Sequence, residues 1–135
     1  LLLEPTKIYI KTMAEISKNF DVVGVNNTGY GLKNLNRIKE NVEFRINNPL
    51  KPQQIFNLMQ KESGFTDEKM YKTFNMGMGF FVICNKEDID DILNITKDAE
   101  VVGEVMKSNK TITILEKNNK KIVFEWYWKK LYKKF

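Results

Sequence analysis

A chain of 135 residues with 42% hydrophobic and 29% charged side chains has the size and balance of one globular domain, which excludes a disordered or membrane-embedded composition. It contains no histidine and a single cysteine, Cys84, which excludes histidine triads, HExxH zinc chemistry, an imidazole base and an internal disulfide within these residues. The net charge of +5 is uneven: residues 107–135 hold nine lysines against two glutamates, while the rest is slightly acidic, so a domain-wide nucleic-acid surface is not expected.

No apolar run approaches the roughly 20 residues that span a bilayer. Leu1-Leu2-Leu3 is too short for a signal segment and has no basic stretch ahead of it. The first residue is Leu rather than Met, and the expectation is a chain cut from something longer.

Pro5 suits a helix start, and Tyr9, Met13, Ile16 and Phe20 follow at spacings that form one helical face. Asp21 to Val25 reads as a short buried strand running into Asn26-Asn27-Thr28-Gly29-Tyr30-Gly31, after which Leu32, Leu35 and Ile38 resume helical spacing. Val42 to Ile46 alternates apolar and charged residues, as a half-buried strand does. Pro52 begins a helix carrying Ile55, Phe56 and Met59, with Gly64 as its C-cap. Thr66 caps the next helix, whose first turn holds Asp67 and Glu68 and whose apolar side holds Met70, Tyr71 and Phe74. Phe80 to Cys84 is a continuous apolar strand expected at the sheet centre, with Cys84 as a core thiol. Ile89, Ile92 and Leu93 give a helix face after Asn85 to Asp88, which reads as an N-cap followed by an acid. Ala99 to Val105 forms another strand, and Thr111 to Leu115 pairs with Lys121 to Phe124 across a turn at residues 117–120. The pattern predicts one α+β domain over residues 1–125, a mixed β-sheet covered by helices, followed by a basic aromatic tail or helix over 126–135.

Two segments carry chemistry. Thr28-Gly29-Tyr30-Gly31 stands between a strand and a helix, where glycines let a ligand approach the backbone and amide groups favour an anion; a tight structural turn is the competing reading. Asn75, in Phe74-Asn75-Met76-Gly77-Met78-Gly79, can donate and accept at once, which suits a substrate contact or a loop brace.

Together these segments resemble a known family. Leu2-Leu3-Glu4-Pro5-Thr6-Lys7-Ile8-Tyr9 is similar to the LLEPTRIYV opening of the C-terminal domain of phosphoribosylformylglycinamidine cyclo-ligases, the aminoimidazole ribonucleotide synthetases. Residues 26–31 stand at the place of that family's HITGGG loop, residues 68–79 resemble EEMYRTFNMGIG, and residues 100–105 resemble WVIGEV. The matches occur in order over roughly residues 1–115, and the MYxTFNMGxG segment is the specific one.

The resemblance implies the α+β fold of this superfamily and a part in ATP-dependent closure of formylglycinamidine ribonucleotide to aminoimidazole ribonucleotide, in a cytoplasmic homodimer of purine biosynthesis. ATP and Mg2+ would be bound mainly by an N-terminal domain of the same polypeptide that this chain lacks, leaving the isolated chain inactive and without a cofactor or metal of its own. By position, Thr28, Gly29, Tyr30 and Gly31 take the role of substrate-phosphate loop. Asn26, Asn75 and Gly77 fall near the cleft, and Thr6 and Lys7 match the opening motif, with Lys7 able to meet an anion. No catalytic residue is assigned.

The chain departs from the pattern at Asn26, where the family has histidine, and at Tyr30, the middle glycine of its loop. The alternatives are a divergent domain that kept the fold and lost catalysis, or a relative of selenophosphate synthetases, whose VTGFGLLGHL stretch Thr28 to Leu32 also resembles. Trp126, Tyr127, Trp128, Tyr132 and Phe135 among four lysines could stack on nucleic-acid bases, or form a docked helix with wet lysines; the second reading is expected.

Overall fold

The computed structural model describes residues 7–125. Pro5, Thr6 and the whole basic tail of residues 126–135 lie outside the described residues. Within them the chain order is α1 (Ile10–Ile16), β1 (Val23–Asn26), a 3-10 helix (Gly31–Arg37), β2 (Val42–Ile46), α2 (Gln54–Ser63), α3 (Asp67–Thr73) and β3 (Phe80–Ile83). A 3-10 turn (Lys86–Asp88), α4 (Ile89–Thr96), β4 (Gly103–Lys107), β5 (Ile112–Lys117) and β6 (Lys120–Glu125) complete it.

The strands form two sheets. The larger is mixed, in the order β4-β2-β5-β6, with β2 and β5 parallel and the outer pairs antiparallel. Its inner face is set by the alternation in β2, where Val42, Phe44 and Ile46 are buried while Glu43 and Arg45 form an ion pair on the opposite face. Phe44 stands opposite Thr113, which stands opposite Phe124, so the register lines three buried side chains across three strands. The β5–β6 hairpin turns through Asn118 and Asn119, both with positive φ (52° and 58°), the geometry two-residue hairpin turns prefer.

The smaller sheet pairs β1 with β3 antiparallel, from Val23 opposite Ile83 to Asn26 opposite Phe80. The Phe80–Cys84 run is therefore not central: among the described residues β3 pairs with β1 alone, with Phe81 buried and its neighbours half-buried. Its continuous apolar character reflects cover by α1. Tyr9, at the start of α1, stacks on Phe80 with centroids 4.7 Å apart, and Met13 reaches over Gly24. A Cβ on Gly24 would fall 2.9 Å from the Met13 methyl, and one on Gly79 would fall 2.6 Å from the Tyr9 hydroxyl. Both glycines are thus what lets α1 lie close.

The stripe Leu32, Leu35 and Ile38 forms a 3-10 helix rather than an α-helix; a spacing of three and three is the 3-10 period, and Leu32 and Leu35 are both buried. Two caps fall where the sequence places them. Gly64 ends α2 at φ +66°, and the Thr66 hydroxyl accepts from the Lys69 amide at the start of α3.

Candidate functional site: a braced glycine turn beside an apolar groove

The path from β1 into the 3-10 helix contains three successive residues in the left-handed region, Gly29 (φ 46°), Tyr30 (φ 53°) and Gly31 (φ 51°). What holds them there is Asn34. Its side-chain amide, buried under the turn, donates to the carbonyls of Thr28 (2.9 Å), Gly29 (2.6 Å) and Gly31 (3.0 Å). In a planar trans peptide the N–H points opposite to the preceding C=O. Drawing the Thr28 carbonyl inward therefore turns the Gly29 N–H outward. Gly29 itself is exposed, and a Cβ built on it would meet nothing within 4 Å. The first half of the turn thus presents backbone to open space.

The second half is closed. Gly31 is buried, and a Cβ there would lie 1.9 Å from the Tyr71 carbonyl oxygen of α3. Gly31 is thus required by packing against a neighbouring backbone. Lys33, two residues on, is held below the ordinary lysine range by partial burial and then by the nearby charge of Lys72, with Glu68 and Glu125 opposing. The charges around Lys33 are thus mixed, one lysine against two glutamates.

The structure brings the two sequence segments together. The Asn27 amide donates to the Gly79 carbonyl (2.9 Å), and its buried side chain donates to the Met78 carbonyl (2.8 Å) and at the edge of range to that of Asn75 (3.5 Å). Asn75 serves as a loop brace, its Oδ1 accepting from the Gly77 amide at 3.0 Å. Gly77 has φ +91° and stands close to the Lys51 carbonyl, 3.2 Å from where a Cβ would be. Both residues are half-buried and shape the turn that carries the loop.

Asn26 and Thr28 are exposed and line a groove of about 470 Å3 with Lys7, its apolar wall made by Tyr9, Met13 and Phe80. The volume falls in the range of small-molecule sites. The anion that Lys7 meets is internal, the carboxylate of Asp98, and its ammonium also lies 5.8 Å from the Tyr9 ring centre. Gly29, Tyr30, Gly31, Asn75 and Gly77 do not line this groove, and Thr6 lies outside the described residues. Cys84 is half-buried, and burial, with Asp88 adding to it, pushes its thiol up, away from nucleophilic character.

Three asparagines were not legible as site-forming residues: Asn27, Asn34 and Asn36, all buried. Asn36 ties the 3-10 helix to the large sheet, donating to the Phe124 carbonyl and accepting from the Thr113 hydroxyl, each at 2.7 Å. The available signal was compositional, three asparagines within ten residues flanking a leucine stripe, where solvent-facing asparagines would be expected to be replaced freely by better helix formers.

The described residues thus form a small α+β domain with an open, asparagine-braced glycine turn and, beside Asn26 and Thr28, an apolar groove. The sequence profile described as AIR synthase related protein, C-terminal domain, matches residues 1–116, and the chain belongs to that family. A phosphoribosylformylglycinamidine cyclo-ligase of Methanococcus maripaludis strain S2 is 39% identical over 136 residues, covering 92% of this chain and 39% of that protein. The enzyme of the same name from Methanosarcina mazei is 42% identical over 108 residues, covering 79% of this chain and 32% of that protein. That from Methanopyrus kandleri is 30% identical over 125 residues, 90% of this chain and 36% of that protein. The chain thus spans less than two fifths of the length of these curated relatives.

Proposed function

We propose that this domain is the phosphate-holding part of an ATP-dependent phosphoribosylformylglycinamidine cyclo-ligase acting in purine biosynthesis in the cytoplasm. The observation that carries the reading is the inward pull of Asn34 on three carbonyls, which turns the Gly29 N–H outward at an exposed residue. The names of the relatives support the reaction.

In that reaction the formyl oxygen of formylglycinamidine ribonucleotide attacks the γ-phosphorus of ATP, and ADP leaves. An amidine nitrogen then bonds to the activated carbon, the oxygen departs with the transferred phosphate, and loss of a proton leaves the imidazole. This domain's contribution is positional: Gly29 and Thr28 hold the ribosyl phosphate, and Asn26 hydrogen-bonds at the groove without carrying a proton near neutral pH. Among the described residues no three carboxylates or cysteines come together, and no step here is routed through a metal. ATP and its metal are assigned to the remaining part of the polypeptide, together with dimerisation. The selenophosphate-synthetase alternative has the Thr28-Gly29-Tyr30-Gly31-Leu32 stretch alone in its favour.

A cyclo-ligase assay on the complete gene product tests the proposal. Gly29→Val places a branched side chain in front of the outward amide at a left-handed φ and is expected to raise KM for the ribonucleotide about tenfold, roughly one lost anion contact. Turnover with unchanged KM would remove the loop from the site, and absence of cyclo-ligase turnover in the wild type would remove the activity.

A further inference from the structure

The 3-10 helix covers the inner face of the large sheet, where Asn36 donates to the Phe124 carbonyl and accepts from the Thr113 hydroxyl. Ladder register fixes what stands on the outer face. Arg45 is opposite Glu104 and Ile114, and Ile114 is opposite Val123. Glu43 is opposite Met106 and Ile112, and Ile112 is opposite Glu125. β5 therefore carries Ile112 and Ile114 outward and Thr113 and Leu115 inward. Apolar side chains on both faces mark a strand that is covered on both faces. Val123, beside Ile114, is 48% exposed, so the described residues leave the outer cover incomplete.

Chain geometry and charge indicate what completes it. β6 ends at Glu125, which stands on this face, and residues 126–135 follow directly. Neighbouring strands stand about 4.8 Å apart, so β2 lies roughly 10 Å from β6. Ten residues cross that distance even at the helical rise of about 1.5 Å each. At helical spacing Trp128, Leu131, Tyr132 and Phe135 share one side, and Lys129, Lys130, Lys133 and Lys134 take the remainder. Among the strand residues of the outer face, Glu43, Glu104, Glu116 and Glu125 stand against Arg45 and Lys121, while Lys110 from the neighbouring loop pairs with Glu125. The face is acidic on balance and the segment that begins at its edge is basic. The family profile stops at residue 116, and the phosphate reading gives residues 126–135 no role.

We propose that residues 126–135 fold back over the outer face of the large sheet, their aromatic side on Ile112, Ile114 and Val123 and their lysines toward the surrounding glutamates. The segment is then an intramolecular cover for β5, and its rings are taken up by packing rather than by stacking on nucleic-acid bases.

Trp126 and Trp128 are the two tryptophans of the chain, so tryptophan fluorescence reports this segment alone. The experiment is acrylamide quenching of the chain, folded and in urea, for wild type, Val123→Lys, Val123→Thr and Val23→Lys. Folded wild type is expected to be quenched several times less than the unfolded chain. Val123→Lys removes an aliphatic contact and adds a like charge, which should shift the docked-to-undocked ratio about tenfold and raise quenching toward the unfolded value. Val123→Thr keeps a β-branched strand residue, so it folds even where Val123→Lys does not, and should raise quenching in the same direction. Val23→Lys, at a comparably exposed valine of the small sheet, should leave quenching as in wild type. Folded wild type quenched as readily as the unfolded chain overturns the proposal. So does shielding that neither substitution at Val123 changes, or an equal loss of shielding in Val23→Lys. Shielding that disappears on dilution also overturns it, because a second copy would then be the cover.

Discussion

The turn at residues 28–31 and the turn at residues 75–79 look alike as sequence, each a short run with two glycines and a larger residue between them. They also look alike as backbone, since Tyr30 and Met76 both hold positive φ next to a positive-φ glycine. Their surroundings differ. Met76 and Met78 are buried, and Gly77 stands against the backbone of Lys51, so protein atoms crowd the second turn. Thr28, Gly29 and Tyr30 are exposed, and only Gly31 is closed off. Glycine can serve approach by a ligand or approach by the protein itself, and the neighbouring atoms decide which. The two roles meet inside one four-residue turn, with Gly29 on the open side and Gly31 on the packed side.

Substitution separates the two roles. The largest effect is expected at Gly31, where Gly31→Ala puts a carbon 1.9 Å from the Tyr71 carbonyl oxygen at a left-handed φ. Urea denaturation should show a loss of about 3 kcal/mol or more, from overpacking and strain together. A loss under about 1 kcal/mol would mean that α3 yields easily, and the packed side would not be packed. Next comes Asn34→Leu, which leaves three carbonyls without their shared donor; a loss of about 2 kcal/mol is expected, with weakened phosphate binding beside it. Asn75→Ala, at the filled turn, removes only the bond to the Gly77 amide and should lose about 1 kcal/mol with phosphate affinity unchanged. A marked drop in affinity there would join the two turns into one site.

The smallest effect is expected at Asp67, the first residue of α3. Partial burial raises its pKa, but the Gln60 and Lys117 side chains hydrogen-bonded to it, with the charges of Lys117 and Lys120, bring it below the usual carboxylate range. A depressed folded pKa means stability that is present above the unfolded value near 3.9 and is lost as pH falls through the folded value. Asp67→Asn should therefore flatten part of the acid limb of a thermal-stability profile below about pH 4 and leave its shape near neutrality unchanged. An acid limb identical to wild type would show that the carboxylate is no better placed folded than unfolded.

What could be read from the residues was whatever is encoded locally. Val42 to Ile46 declared its strand and its buried side by alternation, Gly64 and Thr66 declared their caps, and the two asparagines at 118 and 119 declared the hairpin. The misplacement of β3 has a physical cause: an apolar run reports how much of a strand is covered, and cover by α1 resembles cover by neighbouring strands. The bracing asparagines were hidden for a different reason. Asn27 meets Met78 across 51 residues and Asn36 meets Phe124 across 88, and no periodicity announces such a bond. The position of the glycine turn was legible; which of its glycines faces outward was not, because that depends on α3 arriving at Gly31.

The central claim is that an outward amide at Gly29 binds phosphate, and amide chemical shifts followed during titration of the chain with ribose 5-phosphate test it most directly. The account predicts a saturable shift of the Gly29 resonance, smaller movement at Thr28 and Tyr30, and none at Gly77. Resonances of residues 28–31 that stay still while phosphate is added would contradict it.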